Sequence, residues 1–126
     1  MTPASEYRAA LTVDLPWPHK HLSPNSRVHW AAKAKATRKA RRDAYYAAKA
    51  AGIGEVAATE FRVTTTFNPP ARYSYDEDNL KARCKALYDG LADALGMDDK
   101  HFRHAPVVIG EPVKGGCVVV EIEAAP

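Results

Sequence analysis

Two stretches of the chain alternate apolar and polar positions, a pattern typical of strands with one buried face. The first covers residues 7–15, where Leu11, Val13 and Leu15 share one side and Thr12 and Asp14 the other. The second covers residues 60–68, whose apolar side carries Phe61, Val63, Thr65 and Phe67. The alternation predicts two strands, each with one face in the core.

Two other stretches have helical spacing. Residues 30–51 are rich in Ala, Lys and Arg, contain no Gly or Pro, and end before Gly52, which predicts a long helix. Residues 79–95, followed by Gly96, predict a second helix. Its apolar face carries Leu80, Cys84, Leu87, Leu91 and Leu95. Its opposite face carries Asp78, Lys81, Lys85 and Asp89.

The end of the chain predicts two more strands, at 107–109 and 117–122, joined as a hairpin through Lys114-Gly115-Gly116. The predicted order is therefore β-α-β-α-β-β, without a linker or repeat. This order indicates an α+β fold in which residues 1–126 form a single domain, a small mixed sheet with two main helices. It does not define the order of strands within the sheet.

The charge is distributed unevenly. The net charge of the chain is +3, which excludes a histone-like polycation, yet residues 27–49 alone carry +7 and leave −4 for the remainder. This asymmetry is expected when one element meets an anion and another binds cations. Alanine supplies 23 residues, so the core is thin, and a thin core in a small domain favours a partner subunit.

The sequence carries no sign of a membrane or export function. No apolar run approaches the roughly 18 residues needed to span a bilayer, and the first ten residues lack the pattern of a signal peptide. Cys84 and Cys117 form no Cys-x-x-Cys motif, which favours two reduced thiols. We therefore expect a cytoplasmic protein.

The most informative motif is acidic. If the backbone before the second helix is extended, Asp76 and Asp78 project to one side and Glu77 to the other. Two such carboxylates suit a hard divalent cation such as Mg²⁺. The same residues are also favoured at a helix start by capping and by the helix dipole, so the motif alone leaves both roles open.

A second acidic pair, Asp98 and Asp99, follows the helix. A helix of about 17 residues rises roughly 25 Å, and a short loop returns only about 10 Å. On this argument Asp99 does not reach Asp78 within one chain. If two helices packed antiparallel about a two-fold axis, Asp99 of one subunit would lie near Asp76 and Asp78 of the other.

Four ordered motifs resemble the RusA-type Holliday junction resolvases of bacteria and their phages, over nearly the whole chain. The motifs are Leu15-Pro16-Trp17-Pro18 with Ser23-Pro24-Asn25, Asp76-Glu77-Asp78-Asn79-Leu80, Lys85-Ala86-Leu87-Tyr88-Asp89-Gly90-Leu91, and Asp98-Asp99. The resemblance implies a homodimeric, Mg²⁺-dependent endonuclease of DNA recombination and repair that nicks four-way junctions symmetrically.

The resemblance also implies residue roles. Asp76, Asp78 and Asp99 correspond to the essential metal-binding carboxylates of that family, and Lys85 to its assisting lysine. The spacing to Lys85 is about one helical turn wider than in the family, so Lys81 is a competing assignment. The family's arginines before the acidic motif are reduced here to Arg72, and Tyr73 and Tyr75 either stack on DNA or pack internally.

The DNA contacts are expected mainly from the basic helix, which would neutralise phosphates without sequence preference. The predicted DNA-binding residues are Arg27, Lys33, Lys35, Arg38, Lys39, Arg41, Arg42, Arg72 and Lys81. Trp17, between two prolines, either wedges into an opened junction or packs over the sheet edge. His101 and His104 near Cys117 lack the spacing of a structural zinc site.

Three functions are consistent with these residues. The first is a junction resolvase, the second a nuclease of the same scaffold for other branched DNA, and the third a non-catalytic DNA-binding module whose acidic residues only cap a helix. Substitution of Asp78 by Asn separates the third from the others, because Asn is a good cap and a weaker metal ligand.

Overall fold

A computed structural model describes residues 8–23, 27–52, 60–72 and 75–125 of the protein. The elements within them are five strands and three α-helices. The strands are β1 (Arg8–Pro16), β2 (Glu60–Asn68), β3 (Phe102–His104), β4 (Val108–Ile109) and β5 (Cys117–Ala125). The helices are α1 (Trp30–Ala50), α2 (Glu77–Arg83) and α3 (Lys85–Leu95). Two short 3₁₀ turns occupy Lys20–Leu22 and Asp99–His101.

The strands form one mixed sheet in the order β1-β5-β2-β3, with β4 following β3 along the same edge of β2. Strand β5 is antiparallel to both of its neighbours, pairing Val120 with Val13 on one side and with Thr65 on the other. Strands β3 and β4 are parallel to β2. The predicted α+β single domain with a mixed sheet is confirmed.

The core lies between one face of this sheet and α2 and α3. The alternation predicted for β2 is observed along its whole length, and its inward residues Phe61, Val63 and Phe67 are fully buried. The apolar face predicted for residues 79–95 is buried against them: Leu80, Cys84, Leu87, Leu91 and Leu95. Thr65 is also buried, and its hydroxyl lies 2.7 Å from that of Tyr88. This hydrogen bond links β2 to α3 through the core.

Helix α1 covers the outer side of α3 with its alanine-rich face, where Ala44 and Ala48 are fully buried. The two helices approach most closely at Gly90, where a Cβ atom would lie 2.1 Å from the carbonyl oxygen of Arg41 and 2.9 Å from the Cβ of Ala44. The small residues at this crossing therefore allow α1, the basic helix, to pack directly against α3.

The prediction of a single helix over residues 79–95 is wrong, because the chain forms two helices, α2 and α3, that meet at Cys84. The Cys84 N–H donates to Lys81 O at 3.0 Å, a hydrogen bond that spans three residues as in a 3₁₀ turn. The Cys84 backbone also leaves α-helical geometry, with ψ at 0°. Next to this break, the Arg83 guanidinium donates to the carbonyl of Pro18. This tertiary contact involves a distant loop, and no Gly or Pro in the sequence marks the break.

The predicted hairpin is also wrong. Gly115 and Gly116 do turn the chain, with φ of 77° and 71°. However, the segment before them continues along β2, where the Gly110 N–H donates to Phe67 O at 2.8 Å. Strands β4 and β5 consequently lie on opposite sides of β2 and do not pair with each other.

Strand β3 was not predicted, because its three residues include only one buried side chain, that of Phe102. Of the helices in the described residues, none combines the length and apolarity that crossing a bilayer requires.

Candidate active site and nucleic-acid interface

The fold brings two of the sequence motifs together. The loop after β1 packs against the start of α2: the Trp17 ring lies 5.6 Å from the Tyr75 ring and 6.0 Å from the Phe67 ring, both edge-on. The Asn79 side-chain amide donates to the Ser23 hydroxyl at 3.1 Å. Trp17 and Tyr75 are therefore packing residues that seat the loop beside the acidic motif. Pro24, Asn25, Tyr73 and Ser74 lie outside the described residues.

The acidic motif occupies the first turn of α2. Asp76 is the N-cap, and its Oδ1 accepts a hydrogen bond from the Asn79 N–H at 3.1 Å. Glu77 and Asp78 follow in the first turn, where a negative charge is favoured by the helix dipole. The side chains of all three acids are exposed. Asp76 thus caps the helix, whereas Asp78 lies within the first turn and is not the N-cap residue.

Lys85 holds the later carboxylate of the predicted site. Its Nζ lies 2.6 Å from Asp89 Oδ1 and 2.5 Å from Asp99 Oδ2, so the first residue of α3 is tied to the turn that follows the helix. Hydrogen bonds to Asp89 and Asp99 raise the pKa of Lys85. The hydrogen bond from Lys85 is the main cause that lowers the pKa of Asp99. Lys85 and Asp99, two of the four predicted catalytic residues, are in direct contact.

His104 on β3 packs against α3. Its ring packs edge-on against Tyr88 with centroids 4.6 Å apart. Partial burial lowers the pKa of His104, as does the positive charge of Lys81, while the negative charge of Asp99 opposes both. Lys81 from α2 and Asp99 from the turn after α3 therefore both act on His104. Of the two candidate lysines, Lys85 alone has a hydrogen bond to a predicted carboxylate among the described residues.

His104 is far from Cys117. His104 pairs with Val63 and Cys117 with Asn68, so the two are separated by five positions of β2, about 17 Å along a strand. This separation argues against a joint zinc site.

A polar cavity of about 450 Å³ lies at the end of α3. It is lined by Arg41, Asp89, Ala92, Asp93, Met97, Asp98 and Asp99. Asp98 caps the following 3₁₀ turn by accepting a hydrogen bond from the Lys100 N–H at 3.1 Å. Asp98 and Asp99 thus line the same cavity as Asp89 from the polar face of α3.

The described residues contain no group of three or more His, Cys, Asp or Glu side chains that could hold a metal ion together. The exposed carboxylates of Asp76 and Asp78 are of the type that Mg²⁺ accepts, since one or two protein carboxylates with water are a common ligand set. The distance argument that separated Asp99 from Asp78 assumed one straight helix. The break at Cys84 removes that premise, yet the described residues do not bring Asp76, Asp78 and Asp99 together as a three-ligand group.

The basic residues of α1 divide into two groups. Lys35 and Arg38 are exposed and form no ion pair with a residue in the described ranges. Three others form ion pairs within the chain: Lys39 contacts Asp43 at 2.5 Å, Arg42 lies 3.8 Å from Asp43, and Arg41 binds Asp93 at 2.7 and 2.9 Å. The Nζ of Lys49 lies 5.4 Å from the centre of the Tyr45 ring. The bidentate Arg41 bond fixes α1 to α3.

The remaining predicted DNA-binding residues differ in exposure and in partners. Arg27 is exposed before α1, and the Lys33 Nζ donates to Ser23 O at 3.4 Å. Arg72 is paired with Glu111 at 2.6 Å, and Lys81 is half-buried on α2.

Sequence reasoning assigned no role to several residues that the structure places here. Asn79 and Arg83 anchor the loop after β1, and the negative charge of Asp99 opposes the lowering of the His104 pKa by burial. Asn79 belongs to the Asp76-Glu77-Asp78-Asn79-Leu80 motif, so the sequence does indicate it as a site residue. Arg83 and His104 belong to no such motif, and only the tertiary structure places them here.

The chain matches no family model. It is 44% identical over 114 residues to an uncharacterized protein of Xylella fastidiosa (strain Temecula1 / ATCC 700964). The alignment covers 88% of this chain and 74% of the relative. The chain therefore belongs to the same protein family as this Xylella protein.

Proposed function

We propose that the protein is a Mg²⁺-dependent, structure-specific DNA endonuclease that resolves four-way junctions by paired nicks, as in the RusA-type resolvases that its motifs resemble. The observation that carries the proposal is the contact between Lys85 and Asp99 at 2.5 Å. These residues are 14 positions apart, and the resemblance assigns both of them to catalysis.

Each acidic residue has a defined part in the proposed reaction. Asp76 and Asp78 hold the cation through their exposed carboxylates, and the N-cap bond to Asn79 orients the first of them. When bound, Mg²⁺ supplies charge neutralisation at the scissile phosphate and lowers the pKa of a bound water. Lys85 donates hydrogen bonds to the phosphate oxygens and so stabilises the negative charge that develops there.

Asp99 is the third carboxylate of the proposal. It comes from a second copy of the chain in a homodimer, since no three-ligand group is found among the described residues of one chain. Lys85 would accompany Asp99 into such a shared site because the two are in contact. Two symmetric sites in a two-fold dimer match the two symmetric strands of a four-way junction.

The test uses a four-way junction and a linear duplex of matched sequence, end-labelled, with Mg²⁺ or with chelator. We expect paired nicks in the junction only, lost with chelator. Asp78→Asn should lower cleavage at least about 100-fold. Loss of a residue that only supports a metal ligand commonly weakens metal binding or activity about 10–100-fold, and loss of the ligand itself should cost no less. Glu77→Gln is the matched control: it removes one charge from the same helical turn and should cleave normally.

Three results would contradict the proposal. Cleavage by Asp78→Asn at the rate of Glu77→Gln would remove Asp78 from the site. Salt-sensitive binding with no cleavage under Mg²⁺ or Mn²⁺ would instead favour a DNA-binding module, for which the capping role of Asp76 is the supporting observation. Cleavage of flaps or forks in preference to four-way junctions would identify a nuclease for other branched DNA.

The shared site has its own test. Asp78→Asn and Asp99→Asn subunits, each inactive alone, should regain nicking when mixed, since one composite site in each heterodimer is then intact. Absence of nicking in a mixture with demonstrated heterodimers would place all three carboxylates in one chain.

A further inference from the structure

The two tryptophans of the chain occupy opposite environments. Trp17, for which the sequence left open a DNA wedge or packing over the sheet edge, is packed between Tyr75 and Phe67. Trp30, at the start of α1, is 76% exposed, the highest value among the exposed large hydrophobic side chains of the described residues. The His29 ring beside it lies 5.5 Å away at an interplanar angle of 35°. A large aromatic surface is therefore presented to solvent, supported on one side by a second ring.

Trp30 opens the first turn of α1, and this turn is linked to the acidic motif. Lys33, one turn further along α1, donates to the carbonyl of Ser23, and the Ser23 hydroxyl accepts from Asn79. Asn79 directly follows Asp78 in α2. Two hydrogen bonds through one residue thus connect the first turn of α1 to the first turn of α2.

The surroundings of Trp30 are cationic. Arg27 precedes it, Lys33 and Lys35 follow it, and residues 27–49 carry a charge of +7. An exposed aromatic ring flanked by basic side chains is typical of surfaces that bind unpaired nucleotides, since the ring stacks on a base and the cations contact phosphates. The interior of an intact duplex stack offers no free base face, whereas an unpaired base at the centre of a branched DNA does.

We propose that Trp30 stacks on a nucleobase that is unstacked at the centre of branched DNA, and thereby places the adjacent phosphate beside Asp76 and Asp78. This inference rests on the proposed nuclease function and names the feature by which the site distinguishes branched from linear DNA. The occupant is a nucleic-acid strand with at least one unpaired base.

The experiment measures binding in chelator, so that no cleavage occurs, to a four-way junction, a matched linear duplex and a single strand. Trp30→Ala should bind the junction and the single strand roughly 5- to 150-fold more weakly, the range for loss of one stacked base. Trp30→Phe should retain most of the affinity, and the linear duplex should be little affected. Val108→Ala, an exposed apolar side chain on β4, is the matched control and should bind as the wild type does.

Tryptophan fluorescence provides a second measurement that does not depend on binding affinity. The free protein should show an acrylamide-accessible emission component that is absent from Trp30→Phe, and the junction should protect it. Equal acrylamide access in the complex and in the free protein, or unchanged junction affinity of Trp30→Ala, would overturn the inference.

The two proposals fail in different ways. Protection of Trp30 by junction or single strand without cleavage under any divalent metal would retain the stacking role and reject the nuclease. Junction cleavage that depends on Asp78 with Trp30 still open to acrylamide would retain the nuclease and reject the stacking role.

Discussion

The guanidinium of Arg41 forms two hydrogen bonds with the carboxylate of Asp93, at 2.7 and 2.9 Å, and joins the middle of α1 to the end of α3. Such bidentate pairs have defined geometry as well as charge attraction. The pair lies beside the close crossing at Gly90, so α1 is fixed to α3 by a polar and a steric contact.

The Arg41 bond lowers the pKa of Asp93. A carboxyl whose pKa is depressed in the folded state stabilises the fold above its unfolded pKa, and that contribution is lost as the pH falls through the folded value. We expect Arg41→Met to raise the Asp93 pKa, as measured by NMR titration. Both side chains are partly exposed, so the loss of stability at neutral pH should be only about 0.2–1 kcal/mol. An unchanged Asp93 titration would show that the pair is absent in solution.

Alanine at position 90 should destabilise the protein. In an ordinary helix Gly→Ala is stabilising by about 1 kcal/mol, but here the added Cβ would lie 2.1 Å from the Arg41 carbonyl oxygen. We expect a net loss of about 1–3 kcal/mol, the usual range for overpacking, measured by urea unfolding. A stabilised Gly90→Ala variant would mean that α1 does not pack against α3 as described.

The buried hydroxyl pair of Thr65 and Tyr88 should behave cooperatively. Thr65→Val or Tyr88→Phe alone leaves one buried polar group without its partner, which costs about 1–3 kcal/mol. The double variant should lose less than the sum of the two, because no unsatisfied hydroxyl remains. Additive losses in a urea-unfolding double-mutant cycle would contradict the hydrogen bond.

The two cysteines should differ in reactivity. Cys84 is 1% exposed, and burial raises its pKa to about 12, so little thiolate is present at neutral pH. Cys117 is partly exposed. A thiol reagent at pH 8 should modify Cys117 first and Cys84 only as fast as the protein opens. Reaction of Cys84 at the Cys117 rate, followed by peptide mapping, would exclude its core position.

The unpaired cations of α1 should dominate the electrostatics of DNA binding. Arg38→Ala should weaken binding to all sequences alike and reduce the slope of log affinity against log salt by about 0.9, the value for one phosphate contact on duplex DNA. Lys114→Ala, on the exposed turn before β5, removes the same charge from outside α1 and is the control. Equal slopes for Arg38→Ala and Lys114→Ala would argue against α1 as the DNA-binding surface.

The elements with strong periodicity could be predicted from sequence. Strand β2 has the predicted bounds, and α1 ends one residue before the predicted end, because alternation and a run of helix-forming residues act locally. The break at Cys84 and the parallel pairing of β4 could not be predicted, because both depend on partners far away in the chain: Pro18 for the first and Phe67 for the second.

The candidate site was predicted in part for the same reason. The resemblance identified Lys85 and Asp99, which the fold brings into contact. It did not distinguish the two tryptophans, since exposure is decided by which loop packs on which sheet. Trp17 stands in a proline-rich loop and Trp30 directly follows the helix-capping residue His29. These local sequences do not show which of the two side chains is exposed, and the tertiary structure does.

The loop after β1 has a consequence for how the site forms during folding. Helix α2 has seven residues, too few to be stable alone in water. Its anchors are Ser23 and Pro18, which lie 56 and 65 positions away from Asn79 and Arg83. Contacts of such long sequence separation form only after a large loop has closed. The acidic motif therefore gains its final geometry late, once the N-terminal strand has joined the sheet, and a nascent chain does not present the arranged carboxylates until most of its length has folded.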